Sequence, residues 1–266
     1  MTPTVAEKPP AEIYDEKFVP ALFGQWGPVI AGLAGIGAGH RVLDVACGTG
    51  ALTLACAERA GDRGRVAGLD ANPEMLEVAR RKTDTVEWHE GMAEALPFES
   101  GSFDAVVSQF GMMFFDDRPR ALREMARVLR PGGRLAVAVC GDVARSPGYA
   151  VFAGLLDRLF GRQVGDAFRA PFALGDRVLL GAIAGEAGLS GAAIEDHWGQ
   201  VRFDSIEALV STERACVWTL GGILDDAQFE SLLAESAREL APFRGTDGRV
   251  AFDMPALILT WQKPAA

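Results

Sequence analysis

The stretch Val42-Leu43-Asp44-Val45-Ala46-Cys47-Gly48-Thr49-Gly50-Ala51-Leu52-Thr53 constrains this chain more than any other. It reads as a buried strand, a glycine-rich turn and the start of a helix. Glycines at 48 and 50 let the backbone turn tightly and let a ligand approach the main chain. The helix start adds N–H groups that lack intrahelical partners, a setting suited to an anionic group. Two residues narrow the ligand. A dinucleotide fingerprint asks for a third glycine at position 53, where this chain has Thr53. Asp44, at the end of the strand, would repel a pyrophosphate beside it. The same carboxylate attracts a ligand that carries an ammonium and a sulfonium.

Downstream, short apolar runs alternate with helical stretches, the pattern of βαβ units and a parallel sheet. Strands are predicted at Arg41–Ala46, Arg65–Leu69, Thr85–His89, Phe103–Ser108 and Arg134–Cys140. Helices are predicted at Ala51–Ala60, at Pro73–Lys82 capped by Asn72, and from Asp117 or Arg118 to Leu129. Pro131-Gly132-Gly133 should end the last of these. Asp70 closes the second strand, where an acid can accept two hydrogen bonds from ribose hydroxyls. A helix cap is the plainer role for an aspartate before a turn, but Asn72 is available for that.

Five segments in this order, D-V-A-C-G-T-G, G-L-D-A-N-P-E-M-L, G-M-A-E-A-L-P-F, F-D-A-V-V-S-Q-F and R-E-M-A-R-V-L-R-P-G-G-R-L, resemble the successive motifs of class I S-adenosylmethionine-dependent methyltransferases. The branch they resemble includes ubiquinone/menaquinone-biosynthesis and natural-product small-molecule methyltransferases, and the likeness runs from about Tyr14 to Cys140. It implies a Rossmann-like, doubly wound α/β fold. The sheet would be seven-stranded and mostly parallel, its last strand antiparallel, with a helical cap inserted after strand five. It implies S-adenosylmethionine as cofactor and S-adenosylhomocysteine as product. Asp44, Ala46, Gly48 and Gly50 would surround the methionine part, and Asp70 would hold the ribose. Ala71 and Met75 would lie beside the adenine, with Met92 and Ala93 flanking it. Ser108 and Gln109 would floor the sulfonium, and Tyr14 would close over the cofactor. Many relatives carry Asp where this chain has Met92; Glu94 could take that part.

Past Gly141 no motif is legible. Helices are predicted at Val151–Phe160, Arg177–Ala187, Ile206–Val217 and Ala227–Leu240, and strands at Ala192–Phe203 and Arg249–Gln262. Pro255 suggests a bulge or an edge position in the last strand. The expected organisation is a disordered tail over 1–10, an N-terminal helical lid over 11–39, a cofactor-binding core over 40–141, a cap over 142–247 with one returning strand, and a closing strand over 248–266. Tyr14, Phe18, Phe23 and Trp26 are the candidate lid aromatics, with core packing the alternative, above all for Phe23 and Trp26. His197, with Glu195 on the same strand face, is one candidate base; His89 is more often structural, and a helix cap accounts for one of Asp116 and Asp117. Phe110, Met112, Met113, Phe114 and Phe115 hint at an apolar or aromatic acceptor.

Composition limits the partners. The 266 residues carry 36 acidic against 26 basic side chains, a net charge of −10, with no basic cluster of the kind that neutralises phosphates. Nucleic acid is therefore not the expected substrate. The four scattered cysteines and three histidines form neither a disulfide framework nor a metal site. The polar, proline-rich start lacks a signal sequence, and no run approaches the roughly 18 apolar residues of a membrane span. A cytoplasmic enzyme acting on a small-molecule acceptor is expected, with a homodimer left open. The expected function is methyl transfer to O, N or C of a small, apolar or aromatic metabolite. Decarboxylation or cyclisation in the same pocket, and a catalytically silent cofactor-binding partner protein, are the alternatives.

Overall fold

The computed structural model describes residues 8–216 and 218–265. Most of the expected N-terminal tail, residues 1–7, lies outside the described residues, and Pro10 already opens a helix. In chain order the elements are α1 (Pro10–Ile13), α2 (Gly27–Leu33), β1 (Arg41–Val45), α3 (Ala51–Ala60), β2 (Arg65–Asp70), α4 (Pro73–Arg80), β3 (Glu87–Glu90), β4 (Phe103–Gln109), α5 (Arg118–Val128) and β5 (Leu129–Cys140). Then come α6 (Pro147–Phe160), α7 (Arg162–Arg169), α8 (Arg177–Glu186), β6 (Ala193–Phe203), α9 (Ile206–Ala215), α10 (Asp226–Glu239) and β7 (Val250–Gln262). One seven-stranded sheet in the order β3-β2-β1-β4-β5-β7-β6 joins them. β1 to β5 run parallel, and β7 is antiparallel to both its neighbours. This is the expected Rossmann-like sheet, with helices packed around it. Among the described residues no helix is long and apolar enough to cross a membrane.

The central strands are near-continuous apolar runs because both sheet faces are covered. Val42, Leu43, Val45, Ala105, Val106 and Val107 are fully buried. Each such Val or Leu contributes about 1.5–3 kcal/mol over an exposed one. Helix starts follow their caps. Asn72 Oδ1 accepts from Glu74 N–H at 2.9 Å ahead of Pro73, and Asp117 Oδ1 accepts from Arg120 N–H at 2.9 Å. In the C-terminal half, Asp225 and Gln228 form a reciprocal capping box.

Three expectations are corrected. Pro255 sits in an interior strand, paired in unbroken register with Trp198 of β6. Its carbonyl accepts from Gly141 N–H at 2.8 Å, just past the last residue of β5. In an antiparallel strand a residue's N–H and C=O point the same way, so the donor that proline lacks would face a neighbouring strand that has ended. Pro131-Gly132-Gly133 does not close α5. It is an irregularity inside β5, where pairing jumps from Phe103↔Leu129 to Ala105↔Arg134. The third is the N-terminal helical segment expected over 11–39, which contains a π-helical run, Tyr14–Phe23, with Pro20 inside it. Proline cannot donate to residue i−4, and its ring collides with that carbonyl in an α-helix. The wider turn seats it, and Gly24 N–H closes the run on Val19 O, five residues back.

The C-terminal end of α5 is fastened by Lys263. Its ammonium donates to Ala126 O (2.8 Å), Arg127 O (3.2 Å) and Leu129 O (2.7 Å), which neutralises carbonyls that have no intrahelical donor. Lys263→Met, which keeps the stem and removes the charge, should lower stability by about 1–2 kcal/mol. Urea denaturation of the purified protein measures it, and the slope of the transition should be unchanged.

Candidate active site

A cavity of about 360 Å³ opens at the carboxyl ends of β1, β2 and β4, where ligands of open α/β sheets bind. The backbone is strained at its rim. Ala46, just after β1, and Phe110, just after β4, both have left-handed φ, 58° and 52°. Each costs about 1–2 kcal/mol in a residue other than glycine, and such strain gathers at binding sites. The two turns meet closely, since a Cβ on Gly111 would stand 2.5 Å from Ala46 Cβ.

Two carboxylates form the polar end. Asp44 is fully buried; its Oδ2 accepts from Thr53 Oγ1–H at 2.6 Å, and its Oδ1 has no partner. Burial pushes its pKa up to about 7, against the opposing pull of the Thr53 hydroxyl. Asp70 Oδ2 accepts from Gly48 N–H at 2.7 Å and its Oδ1 from Asn72 N–H at 2.8 Å. Burial raises this carboxyl too, while the backbone donors work against the shift.

Most of the remaining wall is aromatic or apolar. Tyr14 overlies the glycine turn, its ring 4.0 Å from where a Cβ on Gly48 would stand. It stacks on Phe23 (centroids 5.4 Å apart) and meets Trp218 edge-on at 5.7 Å. Phe23 in turn touches Phe110 at 5.4 Å. Trp26 packs away from the cavity, against Phe110 and Gly199.

Of the residues expected at the cofactor, Tyr14, Asp44, Ala46, Gly48, Asp70, Ala71, Met75, Met92, Ala93 and Gln109 line this one cavity. Gly50 and Ser108 do not. Gly50, with φ of 88°, leaves room for Trp88, whose Cη2 would stand 2.7 Å from a Cβ there. Ser108 is fully buried behind Gly111, its hydroxyl without a partner. Gln109 Nε2 donates to Phe23 O at 3.1 Å, tying β4 to the N-terminal segment. Met92 is 49% exposed. Glu94 lines the cavity but gives Oε1 to the N–H groups of Asp116 and Asp117 at the entrance to α5. His197 lies on edge strand β6, outside the cavity; its Nε2 stands 3.8 Å from Glu195 Oε2 and makes no hydrogen bond.

Several residues at the cavity wall or just behind it were not anticipated. Thr53, seen in the sequence only as a missing glycine, is the residue that holds Asp44. From the cap region come Tyr149, Phe168, Phe172, Glu213, Trp218 and Thr219. A signal for Glu213 existed: Ile206, Leu209, Val210 and Glu213 fall at i, i+3, i+4 and i+7, so a charge sits on the buried stripe of α9. Among the described residues no group of three His, Cys, Asp or Glu side chains is placed to hold a metal ion.

Residues 43–137 match the family described as a methyltransferase domain. The chain is 46% identical over 110 residues to a ubiquinone/menaquinone biosynthesis C-methyltransferase of Hahella chejuensis, covering 39% of this chain and 44% of that protein. It spans about half the length of the curated relatives it matches. Among solved structures, the YcgJ protein of Bacillus subtilis superposes with a TM-score of 0.59 over 91% of this chain and 99% of that one, at 22% identity. The [4+2]-cyclase SpnF does so with a TM-score of 0.55 over 92% and 82%, at 21% identity. These two share the fold alone, and one fold serves several chemistries, so function rests on the site. Residues 43–137 thus match a methyltransferase domain, and this part of the chain is similar in sequence to the ubiquinone/menaquinone-biosynthesis C-methyltransferases.

Proposed function

We propose that the protein binds S-adenosylmethionine in this cavity and transfers its methyl group to a small, apolar or aromatic acceptor, at O, N or C. The observation that carries the reading is Asp44 Oδ1, a buried carboxylate oxygen with no partner, in the same cavity as Asp70. An unpaired buried carboxylate is costly, and the cofactor's ammonium is the group that would relieve it. Asp70 keeps lone pairs beyond those used by the two backbone donors, and a carboxylate can take both hydroxyls of a ribose. Ala71, Met75, Met92 and Ala93 offer an apolar slot for the adenine. Tyr14 would cover the methionine end, where Gly48 leaves the main chain bare.

The cofactor supplies an electrophilic methyl group already activated by its sulfonium. The protein's part is to hold the acceptor in line and keep water out, which suits a wall built from Tyr14, Phe23, Phe110, Phe172 and Trp218. The Hahella relative's name points to quinone precursors, and an aromatic ring of that size fits such a wall. Four free thiols, three of them buried, fit a reducing cytoplasm. The acidic chain would work there on a small molecule, not a nucleic acid, alone or as a homodimer.

Calorimetric titration tests the reading. S-adenosylmethionine and S-adenosylhomocysteine should both saturate the protein and NAD should not; binding of NAD alone, or of nothing, would overturn it. Asp70→Ala should weaken S-adenosylhomocysteine by tenfold or more, and unchanged affinity would remove Asp70 from the ribose.

The pH dependence has a definite sign. Free Asp44 holds its proton up to about pH 7, and a bound ammonium favours the ionised form. Between pH 5.5 and 7, where the ligand's amino group stays protonated, affinity should therefore rise with pH, by at most about tenfold per unit. Binding should release a proton, visible as a dependence of the heat on the buffer. Asp44→Asn should abolish both effects. In the free protein the same raised pKa makes stability fall as pH climbs from about 4 to 7, because the folded state then holds a proton that the unfolded state has lost.

A further inference from the structure

The far side of the cavity contains a second buried carboxyl group. Glu213 on α9 is 2% exposed and lines the cavity. Its Oε1 accepts from Tyr149 Oη–H on α6 at 2.9 Å. Its Oε2 lies 3.1 Å from Thr219 Oγ1, whose proton is shared with Glu213 O at the same distance. No lysine, arginine or histidine pairs with it among the described residues. The other titratable groups around it are Tyr149, Cys216 in the turn after α9, and, beyond Tyr149, Cys140 at the end of β5. All three are neutral near pH 7, because burial pushes Cys216 up to about 11, Cys140 up to about 12 and Tyr149 above its ordinary value.

Fastening α6 to α9 does not call for a charge: a neutral side chain could meet these hydroxyls without the cost of burying one, although a glutamine has one accepting oxygen against the carboxylate's two. Glu213 instead has two neutral donors, no counter-ion and an open cavity beside it. It is also tied to the cofactor end through a chain of contacts: Thr219 adjoins Trp218, Trp218 meets Tyr14, and Tyr14 overlies Gly48. Burial raises its carboxyl to about 7 while the two hydroxyls pull it back, which puts proton uptake in the working range of a general base.

We propose that Glu213 is the general base for acceptors that present an ionisable hydroxyl to this cavity: phenols, hydroquinones or enols. The inference rests on the methyltransferase reading. In the step, the acceptor O–H bond breaks and its proton passes to a Glu213 oxygen. The acceptor oxygen's electron pair forms the new bond to the methyl carbon, and the carbon–sulfur bond breaks with its pair left on sulfur. S-adenosylhomocysteine departs uncharged, and Glu213 returns the proton to solvent. For methylation at a ring carbon conjugated to the hydroxyl, the same oxyanion forms first, and the displaced ring proton then returns to oxygen. Tyr149 and Thr219 act through Glu213 as positioning residues.

The test follows labelled methyl transfer from S-adenosylmethionine to 2-naphthol, catechol and reduced 1,4-naphthohydroquinone, from pH 5.5 to 8.5. Saturating cofactor keeps Asp44 ionised and out of the profile. Wild-type kcat should climb about tenfold per unit up to about pH 7 and then level. Glu213→Gln should cut kcat about 10²–10³-fold and flatten the profile, leaving S-adenosylhomocysteine affinity within threefold. Tyr149→Phe removes a hydrogen bond that favours the ionised carboxylate, so its rising limb should move to higher pH. A Glu213→Gln enzyme within threefold of wild type with its limb intact would overturn the proposal. If Glu213→Gln does not fold, an unmoved limb in Tyr149→Phe overturns it. Cofactor binding without transfer to any hydroxyl acceptor would sink this inference and spare the cofactor site; no cofactor binding at all would sink both.

Discussion

The Asp70 side chain locks three pieces of backbone together. One oxygen holds Gly48 N–H in the turn after β1, and the other holds Asn72 N–H at the start of α4. Main-chain bonds on either side complete the lock: Cys47 N–H to Leu69 O, and Gly91 N–H to Asp70 O. Hydrogen bonds to an ionised acceptor are worth about 1.5–3 kcal/mol each, enough to hold a turn that contains a left-handed glycine. Asp44 does the same between β1 and α3 through Thr53. The end of the cavity proposed for the cofactor is thus assembled before any ligand arrives, and binding there would lose little to ordering.

The opposite wall is held differently. The N-terminal segment carrying Tyr14 is joined to the residues just past α4 by two ion pairs, Glu12 with Arg81 and Asp15 with Lys82, the first of them an exposed kind that contributes about 0–1 kcal/mol. Ring contacts to Phe23, Phe18 and Trp218, the Gln109–Phe23 hydrogen bond and the packing of Ala11 on Met75 and Val78 add to them. A rigid polar floor therefore faces a wall made of large side chains from separate segments. That division matches an enzyme that must recognise one cofactor closely and admit an acceptor of different shape.

What was legible in the sequence follows the same division. The strand–turn–helix around Asp44, the cap at Asn72 and the succession of β1 to β5 could be read because each is encoded within a few neighbouring residues; the antiparallel last strand came only through the family resemblance. Ten of the residues that the resemblance places at the cofactor line one cavity. Gly50 misled because a glycine that makes room for Trp88 looks identical, in sequence, to one that makes room for a ligand. Pro255 misled because its meaning depends on where β5 ends, more than a hundred residues earlier. Glu213, Tyr149 and Thr219 come together only through tertiary packing, although a charge on the apolar stripe of α9 was visible in advance.

The position of β7 also governs the order in which the sheet can be completed. Among the described residues β6 pairs with no strand but β7, and β7 is also the strand that joins β6 to β5. As the chain emerges during synthesis, β1 to β5 can pair as they appear, each against a strand already made. β6 cannot: its partner is not made until Val250–Gln262 follows α9 and α10. Closing such sequence-distant pairs is slow. The part of the cavity wall that comes after β5, Phe172 and Trp218 included, is therefore completed around one late strand, whereas the polar floor of Asp44 and Asp70 need not wait for it.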